Sequence, residues 1–153
     1  MPNKNYHYTE CGLDNVIIQN AGFGAEDDNG EQIVKIPALG RLHKAIAEGL
    51  VNQPGTLSGA EIRFLRTEMG MTQTELARLI HRDMQSIGRW ERAESPLEPA
   101  LDIVIRQIAA EKLQVKVPES IIELCMQVTP QASANQITID HVNDPLCPYR
   151  PAA

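Results

Sequence analysis

The sequence predicts a mainly α protein with a small α+β part at its N-terminal end, and three observations predict it. Ser58 precedes Glu61 by three positions and Thr72 precedes Glu75 by three, and each pair opens an apolar stripe at helical spacing. Two short β-branched runs come before them, over 15–20 and 32–36. Apolar residues make up 42% of the 153 positions, enough to bury the core of one ordinary domain or two small ones.

Taken in order, Asn15–Asn20 and Gln32–Ile36 are separated by polar and Gly-containing residues, including Asn29-Gly30, and read as a hairpin or a pair of short strands. After Pro37, Leu39, Leu42, Ile46 and Leu50 recur at spacings of three and four, which predicts a helix ending near Val51; Asn52 to Gly55 then break it. The unit 1–56 is too small to be very stable alone and is expected to pack on the helical segment after it or on a partner.

The segment 57–113 reads as helical throughout. Ser58 and Thr72 are capping-box residues, because hydroxyl and carboxylate satisfy each other's first-turn N–H groups. Ile62, Leu65 and Met69 form the inward stripe of the first helix, and Leu76, Leu79 and Ile80 that of the second, with Gly70 as the stop between them. Asp83 caps a third helix with Ile87 and Trp90 inward, and Pro96 and Pro99 lead into a fourth with Leu101, Val104, Ile105 and Ile108. In the segment 114–153, Pro118 opens a helix through Met126, Thr129-Pro130 stops it, Gln136–Asp140 alternates as a strand, and Pro148–Ala153 reads as a loose tail.

The spacing of the second and third helices carries chemistry. A helix over 72–80, a tight turn at His81-Arg82 and a helix from Asp83 set two helices at a steep angle and let the second protrude. At about 100° per residue, Ile87 and Trp90 fall on one side, and Gln85, Gly88, Arg89 and Arg92 on the other with Met84 flanking. That outward set suits the major groove of double-stranded DNA. Gln85 matches adenine, Arg89 guanine and Met84 a thymine methyl, while Gly88 removes a side chain where the helix nears the duplex. Arg82 and Arg92 are expected nearer phosphates, and Gln73, at a helix N-terminus, is expected to hold one.

The net charge of −6 opposes this reading, because nonspecific DNA affinity comes from neutralised phosphates. The answer is local. Between 78 and 92, Arg78, Arg82, Arg89 and Arg92 stand against Asp83 and Glu91, so four minus two leaves a basic surface. Such a chain is expected to bind random DNA weakly and to draw affinity from base contacts and a dimer.

Across Ile62, Arg63, Leu65, Arg66, Gly70, Thr72, Gln73, Glu75, Leu76, Ala77, Ile80, Ser86, Ile87, Arg89, Trp90, Glu91 and Arg92 the chain resembles the Xre/Cro helix-turn-helix family of phage repressors, bacterial regulators and antitoxins. The resemblance implies a lambda-repressor-like helix-turn-helix bundle over 57–113. It also implies base-facing roles for Met84, Gln85 and Arg89, a backbone contact for Gln73, and an Arg66–Glu91 ion pair joining two helices. Two positions depart from the pattern: His81-Arg82 where Gly and an apolar residue are usual, and Asp83 where Ser or Thr is usual. The stretch from Tyr6 to Val16 is similar to the opening of Xre-type proteins related to MqsA-type antitoxins, but Cys11 stands there without a CxxC pair, so no zinc site carries over.

The function expected is sequence-specific operator binding by a dimeric transcriptional regulator, with 83–92 as the recognition helix; the alternative is an antitoxin that neutralises a cognate toxin and autoregulates its operon. No enzyme is expected: His7 and Cys11 lack an orienting third group, and His43, His81 and His141 do not converge. No cofactor or metal is expected either, since Cys11, Cys125 and Cys147 are far apart and the acidic residues Glu26, Asp27, Asp28 and Glu31 lack the alternation of a calcium loop. No apolar run suits a bilayer, the N-terminal residues lack the apolar core of a secretory signal, and the compartment expected is the cytoplasm.

Overall fold

The computed structural model describes residues 5–21, 24–26, 28–30, 32–34, 36–117, 120–128, 136–142, 144 and 146–152. Its elements run β1 (Tyr6–His7), β2 (Val16–Gln19), β3 (Gly24–Glu26), β4 (Gln32–Val34), α1 (Leu39–Asn52), α2 (Gly59–Glu68), α3 (Gln73–Leu79), α4 (Met84–Glu91), α5 (Pro99–Leu113), α6 (Ile121–Gln127), β5 (Ile137–His141) and β6 (Tyr149–Pro151). Pro118, Thr129, Pro130, Asp27 and Glu31, to which the sequence reading gave roles, lie outside the described residues.

One sheet draws on both ends of the chain. Its order is β1-β2-β5-β6, and β2 pairs with β5 in parallel, Val16 opposite Ile137 and Ile18 opposite Ile139. Parallel strands need a crossover connection. Here that connection holds all six helices described. β1 and β6 close the edges antiparallel, Tyr6 opposite Ile18 and His141 opposite Tyr149. Val16, Ile18, Ile137 and Ile139 alternate inward, and α1 lies over them with Leu42, Ile46 and Leu50 fully buried. Gly49 marks the close approach: a Cβ there would lie 3.2 Å from Ile137 Cγ2.

The pairing of the early strands differs from the simplest sequence reading. Residues 16–19 do not form a hairpin with 32–34; β4 pairs with β3 through the Asn29-Gly30 turn, and β2 takes β1 and β5 instead. The tail is also not loose. Tyr149 is buried, its hydroxyl donates to the Pro37 carbonyl at 2.5 Å, and 149–151 forms the edge strand, where Pro151 needs no ladder N–H. In α6 the first helical residue is Ile121, and Ser120 accepts the Glu123 N–H as the cap.

Two inward stripes are rotated from expectation. In α3, Leu76, Ala77 and Ile80 face the core and Leu79 is 51% exposed, because small Ala77 lets the helix sit closer on that side. In α5, the buried face is Asp102, Ile105, Arg106, Ala109 and Ala110, roughly a third of a turn from the apolar stripe, and Val104 faces out. The cause is a buried ion pair. Arg106 bonds Asp102 at 2.5 Å and the carbonyls of Gln53 and Gly55, while Asp102 accepts the Leu57 N–H at 2.6 Å. The α1–α2 link would otherwise leave these backbone groups unpaired in the interior. One continuous core runs from Tyr8 and Ile18 through Leu65, Leu76, Ile87 and Trp90 to Tyr149.

Candidate nucleic-acid interface

Local hydrogen bonds set each helix start. Thr72 Oγ1 accepts the Glu75 N–H at 3.1 Å and the Glu75 carboxylate accepts the Thr72 N–H at 3.3 Å, and Ser58 and Glu61 do the same for α2. Gly70 ends α2 at φ +70, and Met71 N–H reaches the Arg66 carbonyl. The turn after α3 works by the same device with a different residue: His81 adopts φ +57, and the Arg82 N–H donates to the Ala77 carbonyl at 2.9 Å. Histidine is among the side chains that tolerate this left-handed conformation better than most.

Asp83 opens α4, its Oδ1 accepting the Ser86 N–H at 2.8 Å. That bond, with the Arg89 charge adding to it, holds the Asp83 carboxyl below the ordinary Asp value. The charge where Ser or Thr is usual is thus directed at the helix N-terminus.

Inward contacts fix how α4 stands. Ile87 is fully buried and Trp90 is 6% exposed. Glu91, the last residue of α4, receives Arg66 at 2.7 and 2.9 Å and the Gln73 amide at 2.9 Å, and Arg66 also donates to the Met71 carbonyl. The pair is nearly enclosed, with side-chain exposures of 15% and 4%. Breaking an ion pair this enclosed costs about 3–5 kcal/mol. One amide N–H of Gln73 is therefore spent inside the protein, which orients the rest of its side chain at the start of α3.

Outward, Gln73, Met84, Gln85, Gly88, Arg89, Arg92 and Glu94 line one shallow groove. Gln85, Arg89 and Arg92 are exposed, and Met84 is 50% exposed with its sulfur accepting the Thr74 hydroxyl at 3.2 Å. Gly88 is covered by the Arg92 guanidinium; a Cβ at 88 would sit 2.9 Å from it. Arg82 stands apart from the groove, at the turn.

Two acidic side chains escaped the sequence reading. Glu94 takes Arg92 at 3.0 and 3.2 Å, and Glu98 takes Arg82 at 3.1 Å. Both lie past the end of α4, between it and α5, and only the path of that connection brings them back to the arginines. Glu91, by contrast, points inward to Arg66 and Gln73. Among the described residues, Arg89 has no ion-pair partner.

The remaining candidates serve packing. His43 bonds the Tyr8 hydroxyl and Glu68, both at 2.8 Å, which ties the N-terminal segment to α1 and α2, and burial pushes the Tyr8 phenol up to about 12. His7 meets the Asp14 carbonyl and His141 the Asn20 carbonyl. Burial raises the Cys11 thiol, away from the thiolate a nucleophile needs. Among the described residues no three of His, Cys, Asp and Glu are grouped to hold a metal ion, and no helix is long and apolar enough to cross a membrane.

Residues 62–116 match the family model described as Helix-turn-helix, a span that runs from within α2 to just past α5. No curated protein and no solved structure was found to match the chain. The matched span holds the capped helices α3 and α4, the turn between them and the outward polar face, on a mainly α, lambda-repressor-like plan. Residues 62–116 thus carry a helix-turn-helix of the Xre type, and that match supports a DNA-binding regulator in general.

Proposed function

We propose that the chain represses or activates transcription by binding a specific double-stranded operator as a dimer, with residues 83–92 in the major groove. The observation that carries this reading is the placement of Gln85 and Arg89 side by side on the exposed face of a helix whose other face is locked by Ile87, Trp90 and Glu91. Gln85 pairs bidentately with adenine and Arg89 with guanine, and Met84 packs on a thymine methyl. Gln73, Arg82 and Arg92 hold phosphates and fix the register. No catalytic role and no cofactor belongs to this reading, and the protein acts where the DNA is, in the cytoplasm.

A dimer fits the charge. An acidic chain whose interface arginines are partly paired gains little from phosphates alone, and two half-sites double the base contacts. The test is selection from a random duplex library. Two related half-sites about one helical turn apart are expected. A selected pool without sequence preference contradicts the reading.

A second reading, the antitoxin, has one observation in its favour: Ile121, Ile122 and Met126 on α6 are 61%, 69% and 74% exposed, apolar surface of the kind that meets a protein partner. A toxin encoded beside this chain that co-purifies with it supports that reading. Variants Ile122→Asp and Met126→Asp that leave such a complex intact count against it.

A further inference from the structure

We infer that Glu94 and Glu98 gate the phosphate contacts of this surface: they hold Arg92 and Arg82 away from phosphates on random DNA and release them only when base contacts have seated α4. The inference rests on the DNA-binding reading of this same surface.

The four acidic residues near the recognition helix have different tasks. Asp83 is occupied by the Ser86 N–H, and Glu91 is enclosed by Arg66 and Gln73. Glu94 and Glu98 remain outside. Their side chains are 53% and 59% exposed, and each faces one of the two arginines placed to reach the backbone of a duplex. The Arg92–Glu94 contact is two-pronged, Nε on one oxygen and Nη2 on the other, and it lays the guanidinium across Gly88 at the floor of the groove. In this state Arg92 occupies the ground a duplex must approach. The mutual influence is visible in both partners: the Glu94 carboxyl is held low by Arg92, and the Arg92 guanidinium is held high by Glu94.

An exposed ion pair is weak, so it does not prevent binding; it sets how many phosphates each complex neutralises. On random DNA, α4 lacks its hydrogen bonds to base edges and docks loosely. Each arginine then gains little by leaving its glutamate, and the approaching phosphates also meet two carboxylates. On the operator, Gln85 and Arg89 draw α4 into the groove, which brings phosphates close enough to exchange for Glu94 and Glu98. The random complex therefore makes fewer phosphate contacts than the operator complex.

The test compares wild type with Glu94→Gln, Glu98→Gln and the double variant on two duplexes, one of random sequence and one from the selected pool, titrated with salt by fluorescence anisotropy. Glu111→Gln is the control, an exposed acid on α5 that removes the same charge away from the groove. In the double variant, the random-duplex salt slope is expected to steepen by up to about 0.9 per arginine released, with affinity rising by less than the exposed pair holds back, under about fivefold per pair. On the selected duplex the arginines already reach phosphates, so its salt slope is expected to stay as in wild type while affinity rises by up to about fivefold per pair. An unchanged random-duplex slope, or a Glu111→Gln effect equal to that of Glu94→Gln, overturns the inference while leaving the operator reading standing. A wild type with no preference for any duplex overturns both.

Discussion

Gly59, the first residue of α2, stands where the start of that helix meets the end of α4. A Cβ at this position would fall 2.6 Å from the Glu91 carbonyl oxygen and 2.9 Å from its carbon, and closer still to the Trp90 oxygen. These obstacles are backbone, so no rotamer change relieves them. Gly59→Ala must push the start of α2 away from the end of the recognition helix. Alanine recovers up to about 1 kcal/mol of helix propensity. Against this stand an overpacking cost of about 1–3 kcal/mol and part of the roughly 1 kcal/mol held in the Ser58 cap. The expected net loss is about 1–2 kcal/mol, a fall in Tm of about 2–8 °C for a chain of this size. Circular dichroism gives the Tm and Trp90 fluorescence reports the environment of α4. Gly40→Ala is the matched control, since a Cβ at 40 in α1 meets nothing within 4 Å and propensity alone should raise Tm slightly. A Tm for Gly59→Ala equal to or above wild type would refute the close-approach argument.

The same packing sets the outcome of three other substitutions. Arg106→Met leaves the buried Asp102 carboxyl without its counter-charge and strips the Gln53 and Gly55 carbonyls of their donor, so urea unfolding should show a loss of about 3–5 kcal/mol, only partly recovered by adding Asp102→Leu because the Leu57 N–H then loses its acceptor. Glu91→Ala leaves Arg66 half-buried without its carboxylate and frees the Gln73 amide, and should cost a similar amount by the same measurement while weakening operator binding further than the unfolded fraction explains. Asp83 has a folded-state carboxyl below its ordinary value, so its contribution is complete above about pH 4 and is lost as pH falls through that lowered value; Asp83→Asn should therefore lower Tm at pH 7 relative to wild type, with the gap closing in acid, and a gap constant from pH 7 to pH 2 would contradict the assignment.

What the sequence made legible was local. Ser58 with Glu61, Thr72 with Glu75, and Asp83 before α4 are signals complete within four residues, and the structure carries all three as caps. Exposure of Gln85, Arg89 and Arg92 opposite Ile87 and Trp90 follows from helical geometry alone. The sheet was not legible, because Val16 finds Ile137 across the whole helical part of the chain and no short-range pattern records that partner. The tail was misread for a related reason: Tyr149–Pro151 is too short to show alternation and becomes a strand only because β5 offers an edge. In α5 the apolar pattern marked one side of the buried face: Ile105 is buried and Leu101 and Ile108 pack against the core, but Val104 faces out, since burying Asp102 with Arg106 satisfies backbone groups that belong to another segment. Glu94 and Glu98 lie past the helix whose charge they offset, so counting along the recognition helix could not assign them to Arg92 and Arg82.

The central claim, that α4 reads base edges through Gln85 and Arg89, is tested most directly by repeating the operator selection with Arg89→Ala beside Arg92→Ala. If Arg89 pairs with guanine, Arg89→Ala should relax one position in each half-site and cost about 1–3 kcal/mol on the selected operator, whereas Arg92→Ala weakens operator binding without relaxing any position and reduces the operator salt slope by about 1. An Arg89→Ala protein that selects the same sequence with the same affinity would contradict the account.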